Sequence, residues 1–299
     1  MKIVVILNPG SGTLSLPENR EILLGALRDA GLDENVITVA DGGEIAAAVR
    51  PHLESGCQAV VAAGGDGTVN AVASMLVCTG VSLGVIPGGT LNHFASDLRI
   101  PSDLSEAVAV LKAGVTKTVD VGAVNGRIFL NNSGLGVYPE MVMKREEIRQ
   151  HGFRKATALL IASALTLLRF PLLRVRLEVN GRAMERLTPF VFVGNNSYEG
   201  EGLQFGGRPR IDNGELCVWM ARRTRRFGLL RAVFQMAFKG YSGVRELDVF
   251  TTREALIKPR RKFVPVSIDG EVWKLRTPLQ YEIRPGALRV LVPAAGDPE

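Results

Sequence analysis

The chain is 299 residues long, 46% hydrophobic and 22% charged, a size and balance that suit one large or two modest domains and exclude disorder as the main state. Its formal net charge of +6 favours an anionic partner: a nucleotide, a nucleic acid or an acidic lipid surface. Cys57, Cys78 and Cys217 are odd in number and far apart, with no Cys-x-x-Cys, which argues against a disulfide framework or a zinc site and fits a reducing cytoplasm.

Taken in order, the first 115 or so residues alternate strand-like and helix-like runs. Strands are expected over 2–7, 36–39, 58–62 and 82–86, and helices over 18–30, 44–54, 68–77, 91–98 and 104–113. Gly31 and Gly56 stand where helix C-caps belong. Such alternation predicts a parallel, three-layer α/β domain. The five apolar residues of 3–7 are too few for a signal-peptide core, and the longest apolar run, 156–168, falls short of the roughly 20 residues of a membrane span.

Beyond residue 120 the pattern changes. Asn125-Gly126, Asn180-Gly181 and Asp269-Gly270 each separate two strand-like runs, 118–124 from 127–131, 174–179 from 182–187, and 264–268 from 271–275. These dipeptides favour two-residue hairpin turns. Further strands are expected over 189–193, 215–221, 244–250 and 254–258. The reading is therefore an α/β domain over 1–120, a mostly antiparallel domain over 121–285, and a last strand, 288–292, returning to the first domain with about 286–299.

Three glycine-bearing segments each follow an expected strand of the first domain: Asn8-Pro9-Gly10-Ser11-Gly12, Gly64-Gly65-Asp66-Gly67-Thr68-Val69-Asn70, and Gly88-Gly89-Thr90-Leu91-Asn92 after Pro87. In a parallel sheet the carboxyl ends of the strands share one edge, where ligands settle. Glycines there let backbone N–H groups approach a phosphate, and the start of the helix after Gly65 adds a favourable dipole. No Walker-type Gly-Lys-Ser/Thr loop occurs. A carboxylate among the glycines, Asp66, suggests a cation or a protonated group nearby.

Asn-Pro-x-Ser-Gly, Gly-Gly-Asp-Gly-Thr-x-Asn and Pro-Gly-Gly-Thr-x-Asn, in this order and at these intervals, resemble the diacylglycerol kinase catalytic family, which includes bacterial lipid kinases and is related to the sphingosine kinases. The resemblance covers essentially the whole chain. It implies an ATP-binding α/β domain of the NAD kinase and diacylglycerol kinase type, a C-terminal β-sandwich domain, and an active site in the cleft between them. It places Asn8 to Gly12, Thr38, Gly64 to Asn70, Gly88, Gly89, Thr90 and Asn92 around the nucleotide, with Asp66 organising Mg²⁺ or the γ-phosphate.

An alcohol kinase needs a proton acceptor for the incoming hydroxyl. Read alone, Asp269-Gly270 is a hairpin turn and Glu271 a solvated strand residue. The family carries its catalytic carboxylate in this Asp-Gly-Glu motif, which makes Asp269 or Glu271 the general base, without choosing between them. The segment Arg210-Ile211-Asp212-Asn213-Gly214-Glu215 resembles a family turn that holds a structural Mg²⁺ through the Arg210 and Glu215 carbonyls and the residue at 213. Here that residue is Asn213, a neutral ligand where the family has aspartate.

The expected reaction is transfer of the γ-phosphoryl group of ATP to a hydroxyl of a diacylglycerol-like or sphingoid lipid. Two other readings stand beside it. NAD kinase shares Gly-Gly-Asp-Gly, but its downstream motifs are not evident. A non-catalytic nucleotide- or lipid-binding regulator would fit Asn213 but not the intact Asp66, Asp269 and Glu271. The run 222–239 is basic on one side and apolar on the other, and Lys258, Arg260, Arg261 and Lys262 form a second basic cluster. Both suit peripheral contact with an anionic membrane, and hence a cytoplasmic protein that reaches the inner membrane face. No nucleic-acid partner is expected, for want of aromatics interleaved with the basic runs. A homodimer is left open.

Overall fold

The computed structural model describes residues 2–136, 172–198, 208, 210–221 and 247–294. The chain divides into two compact units: Met1–Val121, Arg210–Asp212 and Arg284–Glu299 in the first, Gly122–Pro209 and Asn213–Ile283 in the second. The apolar run 156–168, the basic run 222–239 and residues 244–246 of an expected strand lie outside the described residues.

In the first unit β1 (Ile3–Leu7), β2 (Val36–Thr38), β3 (Ala59–Gly64) and β4 (Ser82–Pro87) run parallel in the order β2-β1-β3-β4. All residues of β1, β3 and β4 are buried, so these strands read as unbroken apolar runs rather than as alternation. Ile3, Val5 and Leu7 pack with Leu23 and Leu27 of α1 (Pro17–Asp29) and with Leu104, Val108 and Leu111 of α5 (Leu104–Ala113). Val4, Ile6, Val60 and Ala62 alternate to the other face, toward α2 (Ile45–Glu54) and α3 (Asp66–Leu76). Both expected C-cap glycines end their helices in the left-handed region: Gly31 at φ 69° with Leu32 N–H on the Leu27 carbonyl, and Gly56 at φ 71° with Cys57 N–H on the His52 carbonyl.

Two helix starts differ from expectation. α3 begins at Asp66, two residues early, because extended Gly65 takes the N-cap position. α4 (His93–Asp97) begins two residues late, because Asn92 sits at φ 50° and turns its side chain back onto Gly89.

In the second unit, which takes in only the last residues of β5, the expected hairpins form. β5 (Thr116–Val124) and β6 (Arg127–Phe129), β8 (Leu173–Val179) and β9 (Arg182–Thr188), and β14 (Phe263–Ile268) and β15 (Glu271–Arg276) each join through two residues at positive φ, the signature of type I′ turns. β7 (Asn132–Gly136), β10 (Phe190–Asn195), β11 (Leu216–Ala221) and β12 (Leu247–Thr252) complete one antiparallel sheet in the order β12-β11-β10-β7-β14-β15. The other contains β9, β8, β13 (Glu254–Pro259) and the first residues of β16 (Leu279–Leu291). Leu177, Ile257, Leu279 and Tyr281 of this sheet share one core with Leu135, Val191, Val218 and Val266 of the first, which makes the unit a sandwich.

β7 and the full length of β16 are absent from the sequence reading. β16 is one 13-residue strand that runs through Pro285-Gly286, and its Arg289 and Val290 lie parallel to Ser82 and Leu83 of β4. The fold class is as expected: an α/β N-terminal unit and an antiparallel C-terminal sandwich.

Candidate active site

Parallel pairing brings the carboxyl ends of β1, β3 and β4 to one edge, and the three glycine-bearing turns meet there. The Asn8 Nδ2–H donates to Thr68 Oγ1 at 3.1 Å while Asn8 Oδ1 accepts the Gly10 N–H at 3.0 Å, so one side chain shapes its own turn around Pro9 and ties it to the next. Ser11 Oγ lies 3.5 Å from the same Thr68 hydroxyl. The Thr13 N–H donates to the Gly88 carbonyl at 2.9 Å, and the Gly88 N–H to the Gly64 carbonyl at 2.9 Å. Asn92 closes the third turn on Gly89 in both directions, at 2.8 and 3.0 Å.

Contact between the turns is backbone on backbone. A Cβ at Gly12 would stand 2.7 Å from the Gly88 carbonyl oxygen, and one at Gly89 would stand 2.7 Å from Gly65 Cα. Gly65 ends this junction as the N-cap of α3, whose first-turn amides at Asp66, Gly67 and Thr68 have no intrahelical acceptor by geometry. The arrangement gathers N–H and hydroxyl groups of the kind suited to phosphate oxygens.

Not every expected nucleotide residue joins the junction. Thr38 is exposed at the carboxyl end of β2, in register with Leu7. Thr90 is exposed on the third turn. Val69 turns into the core, and its N–H is taken by the Gly65 carbonyl. Asn70 lies one helical turn from Ser74, whose hydroxyl donates to the Asn70 carbonyl at 2.8 Å.

Asp66 is partly buried. Burial pushes its carboxyl up from the ordinary carboxylate value, while the His93 imidazole and the backbone N–H groups of Phe94, His93 and Asn92 hold it back. A carboxyl raised on folding binds protons more readily in the native state, so the contribution of Asp66 to stability is fully present below its unfolded value and is lost as pH rises through the raised value. The urea midpoint of the wild type is therefore expected to drop relative to Asp66→Asn as pH rises from the ordinary carboxylate range, about 4, through the raised value. Parallel pH profiles for the two proteins would contradict this account of Asp66.

In the second unit the two candidate bases are in different situations. Asp269, at φ 46° in the hairpin turn, accepts the Leu130 N–H on Oδ2 at 2.7 Å and the Asn131 and Asn132 N–H groups on Oδ1 at 2.9 Å each. Its carboxylate thus fastens the β6–β7 connection. Glu271, the first residue of β15, is exposed.

Behind Asp269 lies a buried polar cluster that the sequence reading missed. Arg208 is 5% exposed and donates to the Leu130 and Asn195 carbonyls at 2.7 and 2.8 Å and to Asn131 Oδ1 at 3.1 Å. Asn195 Nδ2–H also donates to the Leu130 carbonyl, and the Tyr198 hydroxyl to the Asn131 carbonyl, both at 2.8 Å. The available signal was the pair of doublets Asn131-Asn132 and Asn195-Asn196, each ending an apolar run. In the first unit Asp120, 2% exposed and also missed, accepts the Gly286 N–H at 2.8 Å.

The expected Mg²⁺ turn does not offer a charged ligand set. Burial alone pushes the Asp212 carboxyl up, but Lys117 at 3.1 Å and Arg210 at 3.2 Å outweigh it and hold it below the usual range. Asn213 is neutral, and the Glu215 carbonyl accepts the Asn196 N–H at 3.0 Å. Among the described residues no group of three or more His, Cys, Asp or Glu could hold a metal ion. The side chains of this turn supply no cluster of ionised oxygen ligands for a Mg²⁺.

Comparison with known proteins agrees with the geometry. Residues 2–124 match the diacylglycerol kinase catalytic domain, and residues 141–292 match the YegS C-terminal NAD kinase beta sandwich-like domain. The chain is 29% identical to a diacylglycerol kinase of Mycobacterium tuberculosis, over 99% of this chain and 96% of that protein. It is 27% identical to a "Probable lipid kinase YegS-like" of Klebsiella pneumoniae, over 97% and 95% of the two chains. A crystal structure of a diacylglycerol kinase from Bacillus anthracis shares the fold at a TM-score of 0.70 and 24% identity, over 98% of this chain and 97% of that one. Matched in both of its parts, in order and almost end to end, the chain belongs to the diacylglycerol kinase family of lipid kinases that carry the YegS-type C-terminal sandwich.

Proposed function

We propose that the protein is an ATP-dependent lipid kinase that phosphorylates a hydroxyl of a diacylglycerol-like or sphingoid lipid. The observation that carries this reading is the junction of three glycine turns at the carboxyl edge of β1, β3 and β4, where Asn8, Ser11 and Thr68 share one hydroxyl and Gly12, Gly65 and Gly89 allow backbone contact. ATP would enter with its own Mg²⁺, its phosphates on the turns and the first-turn amides of α3. Glu271 is assigned as the general base, because it is exposed while the oxygens of Asp269 hold three amides. The lipid hydroxyl gives its proton to Glu271 and its oxygen bonds to the γ-phosphorus. The bond from that phosphorus to the β–γ bridging oxygen breaks, and ADP leaves.

Labelled ATP offered with a panel of lipid alcohols tests the proposal. Label in a chloroform-soluble phosphate ester is the expected result. No transfer to any lipid, together with no calorimetric binding of ATP, would overturn it.

The acceptor lies in a bilayer, and the second unit offers a surface for one. Arg260, Arg261 and Lys262 are exposed in the turn before β14, next to Phe263, which is 46% exposed. Arg276 lies opposite Phe263 in register, and Lys274 Nζ stands 5.7 Å from its ring. Each cation near an anionic membrane contributes about 1 kcal/mol, so Arg260→Glu, Arg261→Glu and Lys262→Glu combined are expected to weaken binding to phosphatidylglycerol vesicles at least about 100-fold. Binding to phosphatidylcholine vesicles should stay weak for both proteins. Co-sedimentation measures both, and undiminished binding of the triple variant would remove this surface from the proposal.

A further inference from the structure

One peptide group in the second unit is held from both sides by charged side chains. The carbonyl of Leu130 receives Arg208 Nη1–H at 2.7 Å and Asn195 Nδ2–H at 2.8 Å. The N–H of the same peptide, that of Asn131, donates to Asp269 Oδ1 at 2.9 Å. Donors on the carbonyl polarise a peptide and strengthen the bond its N–H makes, so the buried guanidinium and the carboxylate reinforce each other through the Leu130–Asn131 link. The neighbouring amides of Leu130 and Asn132 close on the same carboxylate.

We infer that Arg208 is a positioning residue for the Asp269-Gly270-Glu271 turn, acting through the Leu130–Asn131 peptide rather than on substrate. The guanidinium suits this task because its rigid fork reaches several acceptors at once. Nη1 spans the Leu130 and Asn195 carbonyls, 2.7 and 2.8 Å away, while Nη2 takes Asn131 Oδ1 at 3.1 Å. The three acceptors lie on two segments, the β6–β7 connection and the end of β10. Arg208 therefore fixes the connection against the sheet and fixes the direction in which its amides point. Asp269 follows those amides, and Glu271 follows two residues later across the type I′ turn. Without Arg208 the amides lose their shared orientation, and the carboxylate of Glu271 is no longer held at one place from turnover to turnover.

The catalytic part of this inference rests on the assignment of Glu271 as the base. The structural part does not, and the two are separable by experiment. In the full chain with ¹⁵N-labelled asparagine, the Asn131 amide proton is expected at unusually low field. Arg208→Gln and Asp269→Asn should each move it upfield. Arg208→Gln should also lower kcat at least about tenfold while leaving the dissociation constant for ATP within about twofold, since misplacing a reacting group acts on the chemical step. Adding Arg208→Gln to Asp269→Asn should cost little more than Asp269→Asn alone, because both changes open the same link.

Arg208→Lys keeps the charge but loses the fork, and should fall between wild type and Arg208→Gln. It also serves as the reporter if the glutamine variant does not fold. An Asn131 amide that stays in place in either folded variant, or additive losses in the double variant, would overturn the inference. A shifted amide in a protein that transfers no phosphate to any lipid would instead count against the kinase assignment alone.

Discussion

Replacing Glu271 by Gln is expected to lower kcat by about 10²- to 10⁴-fold, the range over which a positioned general base contributes. Affinity for ATP should be unchanged, and so should stability, since an exposed side chain without special contacts changes folding by about 0.5 kcal/mol or less. Replacing Asp269 by Asn should behave differently. The carboxylate accepts on both oxygens, from Leu130 on one and from Asn131 and Asn132 on the other. An amide offers one acceptor oxygen, and its NH₂ group would face a backbone N–H donor. At least one buried donor then loses its partner, at a cost of about 1–3 kcal/mol. Asp269→Asn is thus expected to lower both stability and turnover, Glu271→Gln turnover alone. Urea denaturation, calorimetry with ATP and steady-state kinetics read the three quantities. Near-normal kcat in a folded Glu271→Gln protein would remove Glu271 from the role of base. If Asp269→Asn then lost all activity with no loss of stability, Asp269 would take that role.

The part of the fold that was legible in the sequence is the part whose information is local. β1, β3 and β4 are buried on both faces and appear as apolar runs, and the glycines that follow them mark where the chain turns into the next helix. Asn125-Gly126, Asn180-Gly181 and Asp269-Gly270 announce their hairpins because only a few residue types tolerate two successive positive φ angles. β7 was illegible for the opposite reason. Asn132-Ser133-Gly134-Leu135-Gly136 has the composition of a loop, and it is a strand because β10 and β14 hydrogen-bond to it from both sides. Pro285-Gly286 falls at the expected domain boundary, before the strand expected over 288–292, yet β16 passes through it. The candidate site divides in the same way. The glycine turns are visible as motifs. Nothing near Asp269 in sequence shows that its carboxylate closes on amides 137 to 139 residues earlier, and Arg208 in a Gly-Gly-Arg-Pro context looks like a surface residue. Non-local hydrogen bonds leave no period and no spacing to read.

Alanine at Gly89 and at Gly12 is expected to separate the phosphate junction from the rest of the first unit. At Gly89 the added Cβ would meet Gly65 Cα at 2.7 Å and Asn92 Oδ1 at 2.8 Å, so the second and third turns must part and the Gly89–Asn92 closure must loosen. At Gly12 it would meet the Gly88 carbonyl oxygen at 2.7 Å and Gly89 carbonyl carbon at 2.8 Å, and the residue also sits at φ 33°, outside the comfortable range of an L-side chain. Overpacking costs about 1–3 kcal/mol, and a left-handed backbone about 1 kcal/mol more. Gly89→Ala should therefore lose about 1–3 kcal/mol and Gly12→Ala about 2–4 kcal/mol. Gly25 provides the contrast: it lies in the middle of α1, a Cβ there meets nothing within 4 Å, and Gly25→Ala should gain up to about 1 kcal/mol from helix propensity. If the turns form the nucleotide cradle, Gly89→Ala and Gly12→Ala should also weaken ATP binding by an order of magnitude or more, because a displacement of a few tenths of an ångström misaligns several phosphate donors together. Gly25→Ala should bind ATP as the wild type does. Calorimetric titration against urea-derived stability distinguishes the outcomes, and destabilised Gly89→Ala and Gly12→Ala proteins that bound ATP with full affinity would show that the junction is built for packing and that the triphosphate lies elsewhere.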